Sequence, residues 1–590
     1  MKRPRLSLST DAALALALGL ATFLGLLATE RAIGFTRDES FYFYAADLYT
    51  PWYLGLASNL IHGRLLDSFS DAVLTRAFGY NWEHPVLMKT LFGLSHWLFY
   101  DKLHLLRSAA AYRAPAWALG GVASALLYLI GLRLFGAVED SSSPARGTPG
   151  RARALAAFAA IAFWLTPRNL YDGHLACFDM PITVAWLFVV YCYLRAFDQD
   201  RAQGGAAVVT AAPTPGGWRV RHWAVLTGVA YGLALCIKLN SFFYPATFVL
   251  HWALVSAPRA FKASGGRALW RSVPQQWLWM ALLGPLLFLL HWPYLWPHLV
   301  ERVGQYLAFH LQHVNYPWAY LHELLREPPF PLFYVVVVTA LTVPLPLFAL
   351  MVTGTLGAAV RLWRQGLWQL DAAWLLVLLN AVFPLLLISV PTVPHFGGTK
   401  HWLPGMPFLS LLAADALWRA AQTASELLRR AFGARRALAP QVLAAAFGGA
   451  TLAVALVGCV HIGGYGDSAY NELCGEGAGA AELGMQRQFW SNNVTGVLGW
   501  LNENAPAGAR VYFHEVTVGS VQAYKQDGML RRDLQPVGGA SDAQLVPYQY
   551  MQEFRQQEFD VWNAFGTTEP VDGLYLDESP NVTVYRRPGS

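Results

Sequence analysis

The chain has 590 residues, of which 55% are hydrophobic and only 14% are charged, and it includes 23 tryptophans. A soluble protein carries charge on about a quarter of its residues, so this composition excludes a chain whose whole surface faces water. The net charge of +6 does not indicate a nucleic-acid partner, because the basic residues lie in short loops between apolar runs, where they report membrane orientation.

Apolar runs long enough to cross a bilayer recur along the first 462 residues and are separated by polar loops. The first run follows a basic N-terminus and is too long for the apolar core of a signal peptide, so we interpret it as a retained span. The pattern predicts eleven transmembrane helices, near residues 12–30, 112–133, 154–170, 179–195, 222–240, 241–257, 276–296, 330–352, 371–390, 402–418 and 441–462.

Arginine is concentrated in alternate loops, which is the pattern of cytoplasmic loops in multi-pass membrane proteins. A cytoplasmic N-terminus satisfies this alternation throughout, and the odd number of spans then puts residues 463–590 outside. We therefore expect a multi-pass protein of the inner (plasma) membrane whose C-terminal region is periplasmic or otherwise extracytoplasmic. The residue usage is typical of a GC-rich bacterial genome.

The loop at residues 31–111 is long and aromatic, yet charges interrupt it. Assigning a span to residues 85–100 would invert every later loop, so we expect amphipathic helices that lie in the outer interface. Residues 463–590 are less apolar and contain strand-like runs such as ARVYFHEVTV and NVTVYRR. The sequence predicts an all-α transmembrane domain over 1–462 and a small extracytoplasmic α/β domain over 463–590.

Ionisable residues avoid the centres of the predicted spans and gather at their outer ends. Burying charge in hydrocarbon costs free energy, so such residues are candidates for function. The candidates are Asp38, Glu39, His84, Lys89, Asp179, Lys238, His310, His313, Lys400 and His401.

Each candidate also has a structural interpretation. The neighbouring carboxylates Asp38 and Glu39 could cap a helix N-terminus, and Lys89 could extend towards lipid headgroups. Lys238 and Asp179 could pair with each other, and Lys400 with its neighbour His401 could anchor a span at the interface.

Several motifs occur in a recognisable order: TRDESFYFYA, EHPVLMK, YRAPAWALGGV, GHLACFDMPITVAW, YGLALCIKLNSF and GTKHWLPGMPFLSLLAA. Over about residues 10–420 the chain resembles the C-type membrane glycosyltransferases. Within them it is similar to the polyprenyl- or dolichyl-phosphate-mannose protein mannosyltransferases, of which the bacterial aminoarabinose transferase is a relative. Val86 replaces the second proline of the family's His-Pro-Pro motif, and the C-terminal region does not resemble a β-trefoil, which leaves a protein acceptor in doubt.

The resemblance implies that a sugar moves from a polyprenyl-phosphate carrier to an acceptor on the outer face, with inversion. Asp38 would be the catalytic base, and Glu39 would position a substrate. Lys400, His401 and Lys89 would stabilise the phosphate leaving group, and the remaining candidates would line the substrate site. We expect no required metal, although Asp38, Glu39 and Asp179 could supply oxygen ligands to Mg²⁺ or Mn²⁺.

Two other classes of protein fit parts of the sequence. A solute transporter or lipid flippase would place ionisable groups near the bilayer midplane, where the predicted spans have almost none. A non-catalytic scaffold would display the outer domain to partners, but it gives the paired carboxylates no purpose. Within the enzyme class, the acceptor stays open between protein, lipid and glycan, and the sugar between a hexose such as mannose and a pentose.

Overall fold

The computed structural model describes residues 9–136, 149–204, 221–264, 266–366, 371–435, 437–551 and 555–589. Helices dominate it, and short strands are concentrated near the C-terminus. The helices are α1 (Thr10–Thr29), α2 (Arg37–Ile61), α3 (Asp71–Phe78), α4 (Leu87–His96), α5 (Ser108–Gly136), α6 (Pro149–Trp164), α7 (Pro167–His174), α8 (Asp179–Gly204), α9 (His222–Leu235), α10 (Pro245–Ser264), α11 (Gly266–Arg271), α12 (Gln275–His291), α13 (Leu299–Leu311), α14 (Tyr334–Thr342), α15 (Leu345–Gln365), α16 (Ala372–Ile388), α17 (Met406–Phe432), α18 (Pro440–Ile462), α19 (Glu476–Glu482), α20 (Thr495–Asn504), α21 (Val518–Gln526) and α22 (Arg555–Phe565).

Five of the described helices are long and apolar enough to cross a membrane: Thr10–Ala32, Ser108–Gly136, Asp179–Gln199, Leu345–Gln365 and Pro440–Ile462. The helices His222–Leu235 and Ala372–Ile388 are apolar but shorter. A mostly helical fold with membrane-spanning helices is therefore confirmed, while the count of eleven spans stays a prediction.

Two predicted spans are interrupted by proline. The span predicted at 330–352 is divided into α14 and α15, because Val343 adopts an extended backbone before Pro344. The span at 154–170 is divided in the same way, since Thr166 is extended before Pro167 and α7 starts at Pro167. The single continuous helices predicted at these two places were wrong.

The loop at 31–111 is helical, as predicted, and contains α2, α3 and α4. The N-terminus of α2 carries a capping box, in which Thr36 and Glu39 each accept a hydrogen bond from the other's backbone N–H. This reciprocal cap fixes the direction of the first turn of α2, which presents Asp38. Whether these helices lie in the membrane interface stays a prediction.

The C-terminal region contains a five-stranded sheet of β3 (Arg510–Val511), β4 (Gln535–Pro536), β5 (Leu545–Gln549), β6 (Asp572–Leu576) and β7 (Ser579–Arg586). Their order is β4-β3-β5-β7-β6. β3 pairs in parallel with β4 and β5, whereas β7 pairs antiparallel with β5 and β6. A separate antiparallel pair joins β1 (Trp318–Tyr320) to β2 (Glu323–Leu325). The predicted small α/β region is thus present.

The sheet region and the helical region share one hydrophobic interior, which runs from Leu26 in α1 to Val582 in β7. The Tyr524 hydroxyl oxygen accepts a hydrogen bond from the backbone N–H of Phe35, just before α2, at 2.8 Å. A second, small cluster lies where α22 packs on the sheet. The C-terminal region therefore packs directly against the start of α2.

Candidate active site

An ion pair joins the first turn of α2 to a loop distant in sequence. Lys400 lies in a short 3₁₀ helix, Gly398–His401, and its Nζ is 3.2 Å from Asp38 Oδ2. The side chains are 12% and 26% exposed, so the pair is partly open to its surroundings. Burial disfavours the charge of Lys400, but Asp38 and Asp179 outweigh it and raise the pKa of Lys400 above its ordinary value.

A residue of the C-terminal region also contacts this ion pair. Lys400 Nζ lies 3.5 Å from the centroid of the Trp490 ring, a close cation–π contact. The carbonyl of Trp490 also accepts the backbone N–H of Arg37 at 3.2 Å, which ties the segment to the start of α2. The residue that covers the ammonium is thus held by the helix that carries Asp38.

Glu39, next to Asp38, is enclosed instead. Its side chain is 0% exposed and forms an ion pair with Arg113 of α5, with Arg113 Nε 2.7 Å from Oε1 and Nη2 2.8 Å from Oε2. The backbone N–H groups of Thr36 and Ala176 donate to the same carboxylate. The helix-capping interpretation is correct for Glu39, and its oxygens are occupied by the protein.

A second cation–carboxylate pair lies close enough to influence the first. Lys238 Nζ is 2.6 Å from Asp179 Oδ1, at the start of α8. The pairing that the sequence left as an alternative is therefore present. Because Asp179 also raises the pKa of Lys400, the two pairs form one electrostatic cluster.

A narrow cavity extends from Lys400 towards α7 and the C-terminal region. Arg168, Asp172, Asp467 and Trp490 are among its lining residues. Burial, reinforced by Asp179, raises the pKa of Asp172 to about 8, and burial raises the pKa of Asp467 to about 6. This raised pKa favours the protonated form of Asp172 at neutral pH, although Lys400 acts in the opposite direction.

Lys89 and His84 organise the turn that precedes α4. Lys89 is buried, and its Nζ donates to Asn81 O at 2.5 Å, Asn81 Oδ1 at 3.0 Å and His84 O at 2.9 Å, which uses its three donors. Burial lowers the pKa of Lys89 to about 7, and burial with nearby Lys89 lowers the pKa of His84 well below its usual range. The headgroup contact considered for Lys89 is wrong for this arrangement, because the ammonium is directed at the protein backbone.

The rings of the other three candidate histidines, His310, His313 and His401, contact backbone groups. The His310 ring lies 2.9 Å from Glu83 O, and His313 lies 2.7 Å from Val314 O. His401 Nε2 accepts the backbone N–H of Gly397 at 3.1 Å, and burial with nearby Lys400 lowers its pKa well below the usual range. His401 is thus a neutral ring that holds the loop around Lys400.

The three carboxylates considered for a metal do not converge among the residues that the structure describes. Only His461, Glu476 and Asp577 in that part of the chain bring three ligand atoms within 4.8 Å of one another, and they lie at the end of α18, at the start of α19 and in the β6–β7 turn. The fit of a divalent ion between Asp38, Glu39 and Asp179 is poor here, because Arg113 occupies Glu39.

Sequence analysis did not identify four of the residues that build this site: Arg113, Asp172, Asp467 and Trp490. Arg113 was visible as a cation inside an apolar run, a position that demands a partner. Asp172 lies seven residues before Asp179, but periodicity gives no reason to bring it near Lys400. Asp467 and Trp490 follow the last span, and only the packing of the C-terminal region reveals their contribution.

Comparison with known proteins agrees with the class of protein suggested by the motifs. A family model described as dolichyl-phosphate-mannose-protein mannosyltransferase matches residues 143–302. The predicted resemblance to these mannosyltransferases is thereby confirmed over residues 143–302. The matched segment includes Asp179 and Lys238 but neither Asp38 nor Lys400.

Solved structures that are similar to this chain include two of ArnT from Cupriavidus metallidurans. The structure bound to undecaprenyl phosphate is 13% identical, with 97% of each chain covered and a TM-score of 0.47. The apo structure is 12% identical, again with 97% of each chain covered, and has a TM-score of 0.49. No curated protein sequence matches the chain.

Proposed function

We propose that this protein is a multi-pass membrane glycosyltransferase that transfers a sugar, with inversion, from a polyprenyl-phosphate carrier to a hydroxyl-bearing acceptor. The observation that carries the proposal is the pair between Asp38 and Lys400, a carboxylate and an ammonium that lie 3.2 Å apart and are both partly exposed. The match to the mannosyltransferase family model supports the reaction class.

The reaction needs a base, because an acceptor hydroxyl is a weak nucleophile at neutral pH. Asp38 has the greater exposure of the two neighbouring carboxylates, since its side chain is 26% exposed and that of Glu39 is 0% exposed. The acceptor oxygen attacks the anomeric carbon, the bond from that carbon to the phosphate oxygen breaks, and Asp38 takes the hydroxyl proton. Polyprenyl phosphate leaves as an anion.

Lys400 serves the leaving group. An anionic phosphate that binds at Lys400 replaces Asp38 as its counter-ion, which frees the carboxylate to accept a proton from the acceptor. Fixed positive charge where the phosphate anion develops lowers the barrier. Lys238, in the neighbouring pair with Asp179, adds positive charge to the same cluster.

The remaining candidates receive supporting roles. Glu39 is a positioning residue, because its pair with Arg113 and its cap of α2 fix the helix turn that carries Asp38. His401 shapes the loop that carries Lys400. Lys89 orders the turn that contains His84, because it donates a hydrogen bond to the His84 carbonyl. His84, His310 and His313 shape the adjoining wall of the substrate site.

The orientation follows from the arginine alternation. We propose that residues 463–590 lie outside the cytoplasmic membrane and that the reaction occurs on that side. Single cysteines introduced at Ser58 and Ser541 should react with an impermeant thiol reagent in intact spheroplasts of an expression host. Labelling that requires lysis would reverse the orientation and leave the reaction class unaffected.

The reaction class is tested with purified protein in lipid nanodiscs and a panel of radiolabelled polyprenyl-phosphate sugars. Envelope fractions from bacterial cells, separated into protein, lipid and glycan, serve as acceptors. We expect label to reach one fraction with wild-type protein and not with Asp38→Asn. No transfer from any donor, or equal transfer by the variant, would contradict the proposal.

A further inference from the structure

A second cavity lies beside α2, away from the face that packs around the Asp38 cluster. Its volume is ≈ 490 Å³, within the range of about 300–1,000 Å³ that is usual for sites that bind small molecules. Ser40, Tyr44 and Asp47 line it and recur three or four residues apart, so they share one face of α2. Tyr42, on another face, stacks on Phe178 at 4.1 Å.

Three parts of the chain form the walls. α2 supplies one wall, the start of α5 supplies Ser108 and Tyr112, and α21 of the C-terminal region supplies Gln522 and Gln526. The Thr517 hydroxyl donates to Ser40 Oγ at 2.8 Å, which joins the C-terminal wall to α2. The cavity is therefore completed only when the C-terminal region packs on the helices.

The lining combines aromatic faces with hydroxyl, amide and carboxylate groups. Tyr44 is 54% exposed and meets Tyr80 edge to face at 4.8 Å, which leaves ring surface free to stack. Gln522 and Gln526 each offer an amide donor and an acceptor, and both are exposed. Such a mixture suits a hydroxyl-rich ring, whose C–H faces stack on aromatic side chains while its hydroxyls bond to polar ones.

The negative charge of the lining side chains opposes the binding of anions. Asp47 and Asp527 are its charged members, and no lysine or arginine is among the described lining residues. Arg107, which pairs with Asp527 from outside the lining, also pairs with Glu30. A phosphate would meet carboxylates here, in contrast to the Lys400 site, so the polyprenyl-phosphate donor does not belong in this cavity.

We propose that this cavity binds an uncharged carbohydrate of two or three residues, with Tyr44 as the stacking platform and Gln522 and Gln526 as hydroxyl partners. The proposal rests on the proposed function for its purpose: the bound glycan is a recognition element of the acceptor, held by the C-terminal region on one side of α2 while transfer occurs at Asp38. The binding itself does not depend on turnover.

The test measures binding to the full-length protein in nanodiscs, because glucoside and maltoside detergents would compete. Ligand-observed NMR and titration calorimetry would use cellobiose, mannobiose and chitobiose, with glucose 6-phosphate as the anionic comparison. We expect at least one disaccharide to bind, and Tyr44→Ala to weaken that binding about tenfold. Glucose 6-phosphate should not bind.

Two control variants separate the causes. Tyr575→Ala removes a tyrosine that is 52% exposed on β6, away from the cavity, and should leave disaccharide affinity unchanged. Asp38→Asn should also bind the disaccharide normally, even if it transfers no sugar, so failure of the proposed reaction is distinguishable. Absence of binding by all three disaccharides, unchanged affinity in Tyr44→Ala, or equal binding of glucose 6-phosphate would overturn the proposal.

Discussion

Two ion pairs that begin at adjacent residues of α2 differ in their access to substrate. The pair between Glu39 and Arg113 is 0% and 1% exposed, and backbone donors complete the hydrogen bonds of the carboxylate. The pair between Asp38 and Lys400 is 26% and 12% exposed, and Lys400 lines a narrow cavity. A charge pair that is fully satisfied by the protein can only hold structure, whereas one that is partly open can exchange its partner for a substrate.

The enclosed pair should cost the most stability when it is broken. Arg113→Ala leaves the carboxylate of Glu39 buried without a cation, so we expect a loss of about 3–5 kcal/mol, measured by thermal unfolding in nanodiscs. Arg133→Ala is the control on the same helix, because its pair with Asp198 is 20% and 39% exposed and should contribute about 1 kcal/mol or less. Equal losses in the two variants would remove the distinction between enclosed and open pairs.

The open pair should matter for turnover more than for stability. Asp38→Asn keeps the shape but cannot accept a proton, so we expect turnover to fall about 10²-fold or more, with donor binding and the melting temperature nearly unchanged. Asp71→Asn is the control. Asp71 lies in the same segment, residues 31–111, and its carboxylate pairs with Arg302 and is 49% exposed. Near-normal turnover in Asp38→Asn would return this residue to a structural role.

Lys400 should show a dependence on charge that an anchor residue would lack. We expect Lys400→Gln to weaken donor binding about tenfold, because it removes a charge-assisted contact with phosphate. Lys400→Arg should retain part of the activity, since a guanidinium also binds phosphate but with another geometry. Lys102→Gln, which removes a cation over the Trp97 ring, is the control. Equal donor affinity in wild type and Lys400→Gln would contradict the phosphate role.

Asp172 extends the comparison to pH. Its pKa of about 8 in the folded protein exceeds that of an unfolded aspartate, so the folded state retains a proton that the unfolded state releases. Stability should therefore fall as pH rises from about 4 to 8, by at most ~1.4 kcal/mol per pH unit. The melting temperature of Asp172→Asn should depend less on pH over this range, and identical profiles for variant and wild type would refute the assignment.

The sequence predicted the class of fold and several of the residues at the site, because both leave local signals. Apolar runs of membrane length and the arginine alternation are readable without tertiary contacts. The motif around Asp38 and the loop around Lys400 were recognisable by their composition and order. Proline breaks before Pro167 and Pro344 were also local signals, and weighing apolar length above them predicted one helix at each place where the structure has two.

The sequence did not predict which of Asp38 and Glu39 is enclosed and which is partly open, because both are carboxylates in one helix turn. Only the approach of α5 and of the Lys400 loop from different sides assigns one to Arg113 and the other to Lys400. The same holds for Trp490, which no spacing relates to Lys400. By itself the amino-acid sequence determined a membrane protein whose charges lie at the ends of its apolar segments, since hydropathy and charge act locally along the chain. The tertiary structure decided which charges are enclosed and which are open, since burial and pairing depend on segments hundreds of residues apart.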